Sequence, residues 1–218
     1  INGALSYEPK LQKDDLLSII VAADQPELTV PFNLPQIQGN YQINQNQDGI
    51  KTYLIDIEGY IVFPVIGKVK LAGLTRSQAV TLLEDQIKEY IKNPSVNLRI
   101  LNYKFSVLGE VNKPGSFKIE SERVTLLEAL SQAGDLTIYG KRNNILVIRE
   151  INGKKEYNRV DITQAEFVNS PYYYLVQNDV IVVEPNKTKI NSSVVGPNLT
   201  VTISALSLLT TVILILTR

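Results

Sequence analysis

An uncharged stretch lies near the carboxyl end of the chain, from Leu199 to Thr217, and limits how this part can fold. At about 1.5 Å per residue, a helix over this stretch would be roughly 28 Å long, close to the hydrocarbon thickness of a bilayer. Its many β-branched residues would also suit a strand, but an uninterrupted strand of this length would far exceed usual strand lengths. We therefore predict a transmembrane, amphipathic α-helix over residues 199–217.

The polar residues of this stretch lie at helical spacing. Those predicted to share one face, and to line a water-filled channel, are Thr200, Ser204, Ser207, Thr211 and Arg218. Those predicted to point largely away from it are Leu206, Leu209, Val212, Ile213 and Leu216. Because Ser and Thr hydroxyls also bond to carbonyls of their own helix, a plain membrane anchor remains an alternative to self-association.

Composition excludes several classes of function. The chain has 22 basic and 22 acidic residues and no basic cluster, so nucleic acid is not expected as a partner. It has no cysteine and no histidine, which removes thiol nucleophiles, the usual zinc ligands and the commonest general base. We expect no enzyme activity, no cofactor and no metal site. Methionine is also absent, so we expect Ile1 to follow a processing or truncation site.

The first predicted domain covers residues 1–103. An apolar run from Leu16 to Ala23 reads as a buried strand, and a long exposed loop rich in Asn and Gln follows over residues 33–49. Thr75 and Gln78 form a capping box that begins a helix. The face predicted for its core consists of Ala79, Leu83, Ile87 and Tyr90, and we expect the helix to stop at Asn93–Pro94.

The second predicted domain covers residues 104–187. Pro114–Gly115 suits the centre of a type II turn between two strands, and Thr125 with Glu128 forms a second capping box. Asn152–Gly153 indicates a hairpin, and 180–183 forms the last strand. Strands, one helix and further strands predict a small α+β domain similar to a β-grasp. Residues 188–198 are predicted to be a linker.

Several segments resemble one bacterial family. Residues 7–19, 56–73 and the helix that ends before Ser95 look like the export domain of the outer-membrane polysaccharide export (OPX) family. Residues 105–115, 125–135 and 178–183 look like the SLBB (β-grasp) domain that follows it. The resemblance covers roughly residues 5–186, and the terminal helix matches the position of the family's outer-membrane helix.

The resemblance implies a subunit of a homo-oligomeric ring, often of eight chains, with most of the chain in the periplasm. Such a ring exports capsular or exopolysaccharide through the outer membrane as a passive conduit. The expected partners are the exported polysaccharide, outer-membrane lipid and an inner-membrane polysaccharide co-polymerase or tyrosine autokinase. A lipid-bearing cysteine would have to precede Ile1. The alternative is a monomeric, membrane-anchored β-grasp module that binds a carbohydrate or a peptide.

Two groups of residues are candidates for chemistry. Carboxylates at element ends could pair on a glycosidic bond, but their positions favour turn and cap roles. These carboxylates are Asp14, Asp15, Asp56, Asp135 and Asp179. Tyr172 and Tyr174 are candidate sugar contacts that would share one face of a strand, with Tyr173 on the other. Core or interface packing is the favoured alternative for these tyrosines.

Overall fold

The computed structural model describes residues 8–33, 52–151, 153–194 and 197–216. Its first unit contains two short sheets and one long helix. The strands are β1 (Leu16–Ala22), β2 (Thr52–Leu54), β3 (Tyr60–Phe63), β4 (Gly67–Lys70) and β5 (Ser95–Ile100), and the helices are α1 (Pro26–Thr29) and α2 (Arg76–Ile87). An antiparallel sheet has the order β2-β1-β5, and β3 and β4 form a separate hairpin. The predicted strand at Leu16 is confirmed. Most of the predicted Asn/Gln-rich loop lies outside the described residues.

The predicted capping box begins α2. The Thr75 hydroxyl accepts the Gln78 amide, and the Gln78 side chain accepts the Thr75 amide at 3.0 Å. Ala79, Leu83 and Ile87 are fully buried, as the helical pattern predicts.

Tyr90 does not continue this buried face. It is 56% exposed because α2 ends at Ile87, six residues earlier than predicted. The Tyr90 amide bonds to the Ile87 carbonyl, so the helix tightens into a turn at this point. The Tyr90 ring lies edge-on to Phe32 at 5.7 Å. The predicted helix end and the predicted core position of Tyr90 were therefore wrong.

The second unit is the predicted α+β domain with β-grasp topology. Its elements are β6 (Lys104–Gly109), β7 (Gly115–Lys118), α3 (Leu126–Gln132), β8 (Gly140–Ile151), β9 (Lys154–Val160) and β10 (Val180–Pro185). The five strands have the order β7-β6-β10-β8-β9, and the first and last strands of the unit, β6 and β10, pair in parallel. One face of this sheet packs with α3 around a single buried cluster.

The turns of this unit confirm two predictions and correct a third. The Thr125–Glu128 capping box begins α3, and β8 and β9 form the predicted hairpin around Gly153. Gly115, predicted to occupy a left-handed turn position, begins β7 instead and does not have a positive φ. In the β6–β7 pair the glycine with a positive φ is Gly109, where a Cβ would clash with the Val183 carbonyl of β10. The close approach of the parallel partner, rather than a hairpin turn, requires glycine here.

Asn102 and Gln177 join the two units. The Asn102 side chain accepts the Leu16 amide at 2.9 Å and donates to the Asp14 carbonyl at 2.8 Å. Gln177 donates to the Asn102 carbonyl and accepts the Lys104 amide, both at 2.8 Å. Two amide side chains therefore tie the start of β1 to the start of β6.

The carboxyl-terminal part is helical over a longer range than predicted. Most of the predicted linker lies in α4 (Lys187–Val194), because Asn186 accepts the Lys189 amide and begins that helix. The following helix is α5 (Pro197–Leu216). Among the described residues, none of the helices reaches the length and apolarity that a membrane crossing requires. The predicted transmembrane helix over 199–217 is therefore not supported.

Candidate functional site

Residues 171–174, which we call the tyrosine segment, lie in turns and not in a strand. The segment follows a 3₁₀ turn (Ala165–Asn169) and precedes β10, and only Tyr174 forms a bridge, with Thr125. Strand alternation therefore does not decide which tyrosines share a face, and the predicted strand geometry was wrong. All three rings are half-buried.

A buried arginine beneath the segment determines its conformation. Arg149 extends inward from β8 and is 7% exposed, and its guanidinium donates to Asp179 at 2.7–3.2 Å. It also donates to the Pro171 carbonyl at 3.1 Å and to the Tyr174 carbonyl at 2.9 Å. Because three of its nitrogens bind the carboxylate and two backbone carbonyls, Arg149 orders both ends of the tyrosine segment.

Each tyrosine makes aromatic contacts of its own. The Arg149 guanidinium lies 4.9 Å from the Tyr172 ring centre, and the Arg123 guanidinium lies 5.5 Å from that of Tyr174. Tyr173 packs edge-on against Tyr174 at 5.0 Å and belongs to the rings that cover the core. These contacts support packing as the main role of the segment. The sugar contact of Tyr172 and Tyr174 stays a prediction.

Sequence reasoning missed Arg149, although a signal was present. In β8 the alternate residues Ile145 and Val147 point inward, and Arg149 takes the next inward position. A charge at an inward strand position requires a buried partner, and Asp179 provides it. Burial raises the pKa of the Asp179 carboxyl, while the hydrogen bonds from Arg149 act in the opposite direction.

The remaining carboxylates mostly have the predicted turn roles. Asp56 accepts hydrogen bonds from the amides of Glu58 and Tyr60. Asp135 accepts a hydrogen bond from the Leu136 amide and forms an exposed ion pair with Arg142. Within the described ranges, no acidic side chains cluster in a way that could hold a metal ion.

Asp15 is the exception, because its side chain is fully buried. One carboxylate oxygen accepts the Gln12 amide at 2.7 Å, and the other has no hydrogen-bond partner within the described part of the chain. Burial raises the pKa of Asp15 to about 6, and the adjacent Asp14 acts in the same direction.

The hydroxyls of α5 bond within their own helix. Ser207 donates to the Ser204 carbonyl at 2.9 Å, and Thr211 donates to the Ser207 carbonyl at 2.8 Å. The side chains of residues 203–211 and 213–215 are exposed, so the apolar side is exposed as well. The Thr200 side chain and Arg218, also predicted to line a channel, lie outside the described residues.

Two family models match the chain in the order of its two units. Residues 4–101 match the polysaccharide biosynthesis/export protein family, and residues 103–183 match the SLBB domain. The chain is similar to the EPS I polysaccharide export outer membrane protein EpsA of Ralstonia solanacearum, with 31% identity over 193 residues. The protein of the same name from Ralstonia nicotianae (strain ATCC BAA-1114 / GMI1000) is 30% identical over 193 residues. Each match covers 84% of this chain and 50% of the relative, so the chain spans about half the length of these relatives.

The buried ion pair generates a stability prediction. Asp179→Asn leaves the Arg149 charge buried without its counter-ion, and we expect the free energy of unfolding to fall by roughly 3–5 kcal/mol. The matched control is Asp135→Asn, which breaks the exposed pair with Arg142 and should cost about 1 kcal/mol or less. Urea unfolding followed by circular dichroism measures both, and equal losses for the two variants would contradict the structural role of Arg149.

Asp15 generates a prediction about pH. The raised pKa means that the folded state holds this proton more tightly than the unfolded state between about pH 4 and pH 6. The contribution of Asp15 to stability is therefore complete below about pH 4, falls as pH rises to about 6, and is constant above that. Asp15→Asn does not titrate, so the stability difference, wild type minus variant, should fall by about 3 kcal/mol over this window. Urea unfolding from pH 4 to 8 measures this difference. A flat difference would show that the pKa of Asp15 is not shifted, and a rising one that it is lowered; either contradicts the prediction.

Proposed function

The chain belongs to the polysaccharide biosynthesis/export protein family, and from this premise we propose that it is a subunit of an oligomeric outer-membrane channel for capsular or exopolysaccharide. The order of the two units in the chain supports this proposal. The chain matches an export domain followed by an SLBB domain, and its relatives are named as outer-membrane polysaccharide export proteins.

The channel acts as a passive conduit. Three of the five candidate carboxylates are engaged in turns or in ion pairs. Asp56 binds two backbone amides, Asp135 pairs with Arg142, and Asp179 is buried against Arg149. A polymer passing such a protein meets fixed charges rather than a reactive pair, which supports transport without catalysis.

The assembly is a homo-oligomeric ring, with an octamer as the expected size, most of it in the periplasm. The ring rests mainly on contacts between the export and β-grasp domains, which make up most of the described chain. An inner-membrane co-polymerase or tyrosine autokinase delivers the polysaccharide to the periplasmic side. In this ring α5 turns its hydroxyl face toward the water-filled passage.

Deletion of the gene in its own bacterium tests the proposed function. Surface polysaccharide should be lost while polymer accumulates inside the cell, because synthesis continues and export does not. Re-expression of the whole gene should restore the surface polymer, which extraction and immunoblotting of surface and internal fractions measure. Unchanged surface polysaccharide in the deletion strain would overturn the proposal and favour the monomeric binding module.

Cysteine labelling tests the orientation of α5. Single cysteines at Ser204, Ser207 and Thr211 should react faster with a water-soluble thiol reagent than cysteines at Leu209 and Ile213, because the hydroxyl face meets water in the assembled ring. The chain has no native cysteine, so each variant carries one reactive group.

Labelling of the same variants in urea provides the control, since all five cysteines should then react at similar rates. Equal or reversed rates in the assembled protein would mean that the hydroxyl face is a helix-packing surface or part of an anchor. The hydroxyl bonds inside α5 make that outcome physically possible, since they satisfy the donors in either surrounding.

A further inference from the structure

The five-stranded sheet of the β-grasp has a second face, opposite the one that packs with α3. Inward residues such as Val107 and Ile181 are fully buried, so their neighbours along each strand point to the other side. We call this side the open sheet face. Strand pairing places two rows across it, the first Ser106, Val180, Ile148 and Tyr157, and the second Leu108, Val182, Leu146 and Arg159.

The centre of the open sheet face is apolar, and an accessible aromatic ring lies at one edge. Leu108 at one side is 47% exposed, and Tyr157 at the other is 64% exposed. Because each row crosses four strands that lie about 4.8 Å apart, the rows span roughly 14 Å of surface. The face is therefore a broad platform with an aromatic ring near one edge, which suits an elongated ligand with both apolar and polar surfaces.

The rim of the open sheet face is basic. The charged side chains that the five strands place there are Lys104, Lys118, Lys141, Lys155, Arg159, Glu150 and Glu184. Five are basic and two are acidic, a net charge of +3 on one face of a chain whose formal net charge is zero. Glu184 already accepts bonds from Arg159 at 2.7 Å and from Lys141 at 3.4 Å, so its charge is neutralised locally.

Two lysines of this rim face each other directly. Lys104 and Lys118 are partners in the antiparallel register of β6 and β7, and neither forms an ion pair within the part of the chain that the structure describes. Like charges directly opposite each other destabilise a sheet. An anionic group bound between the two ammonium groups would remove that repulsion. The charge of this pair is therefore complementary to that of an acidic ligand.

We propose that the open sheet face binds an acidic polysaccharide, one whose sugar units carry carboxylates. A sugar ring stacks on Tyr157, neighbouring rings cross the apolar rows, and their carboxylates pair with Lys104, Lys118 and Lys155. The inference rests on the proposed function, since it identifies the charge class of the polymer that the channel exports. These charge pairs are exposed to solvent, so salt in the surroundings weakens them. The polymer can therefore dissociate from the face as it is exported.

Calorimetry with two hexasaccharides tests the site on the full chain. Hexagalacturonate should bind and maltohexaose should bind much more weakly, and added salt should weaken only the former. Tyr157→Ala should weaken hexagalacturonate binding about tenfold, the change that about 1.4 kcal/mol produces. Lys104→Gln combined with Lys118→Gln should weaken it as well and reduce its salt dependence. The matched control is Tyr90→Ala, which removes an exposed tyrosine of the first unit and should change nothing.

The proposal is overturned if hexagalacturonate does not bind, or if Tyr157→Ala binds as tightly as the wild type. It is also overturned if Tyr157→Cys forms disulfides between copies that hexagalacturonate does not block, since a second copy would then occupy the face. Circular dichroism confirms that each variant is folded. The deletion experiment gives a separate answer. If the gene is needed for export but binding does not depend on Tyr157, only the proposed site is excluded. If hexagalacturonate binds through Tyr157 but the gene is not needed for export, only the proposed function is excluded.

Discussion

The ion pair between Arg149 and Asp179 lies where β8 and β10 pair, and it ties both strands to the tyrosine-containing turn before β10. Its guanidinium holds the backbone before β10, and its carboxylate also accepts the Val176 amide at 2.9 Å. The next residue, Gln177, binds the Lys104 amide and the Asn102 carbonyl, and Asn102 in turn binds the start of β1. One continuous set of hydrogen bonds therefore runs from the β-grasp core to the export domain. Removing the charge at its centre affects the packing of the tyrosines and the junction between the two units.

The β-grasp sheet uses its two faces for different purposes. The inner face combines α3 with large apolar side chains and one fully paired charge, so it provides the stability of the unit. The open sheet face combines half-exposed aliphatic residues, Tyr157 and an excess of basic groups. Because side chains alternate along a strand, one stretch of sequence can supply both faces without conflict. A structural surface and a binding surface are thus separated by the thickness of a single sheet.

The hydroxyl groups of α5 show why a polar stripe has more than one meaning. In a single helix Ser207 and Thr211 satisfy their donors on carbonyls of the preceding turn. The helix therefore tolerates water, lipid or another helix beside this face at modest cost. The helix alone therefore does not decide which of these surroundings the stripe meets.

Elements whose signals are local can be predicted from the sequence alone. The two capping boxes begin α2 and α3, and Gly153 closes a hairpin, because each depends on residues within a few positions of one another. Family motifs extended this to the order of the domains. Tertiary structure alone decided the end of α2 before Tyr90, the need for glycine at Gly109 beside Val183, and the pairing of Arg149 with Asp179. These features depend on contacts between residues far apart in the chain, and no short-range pattern encodes which distant partner will arrive.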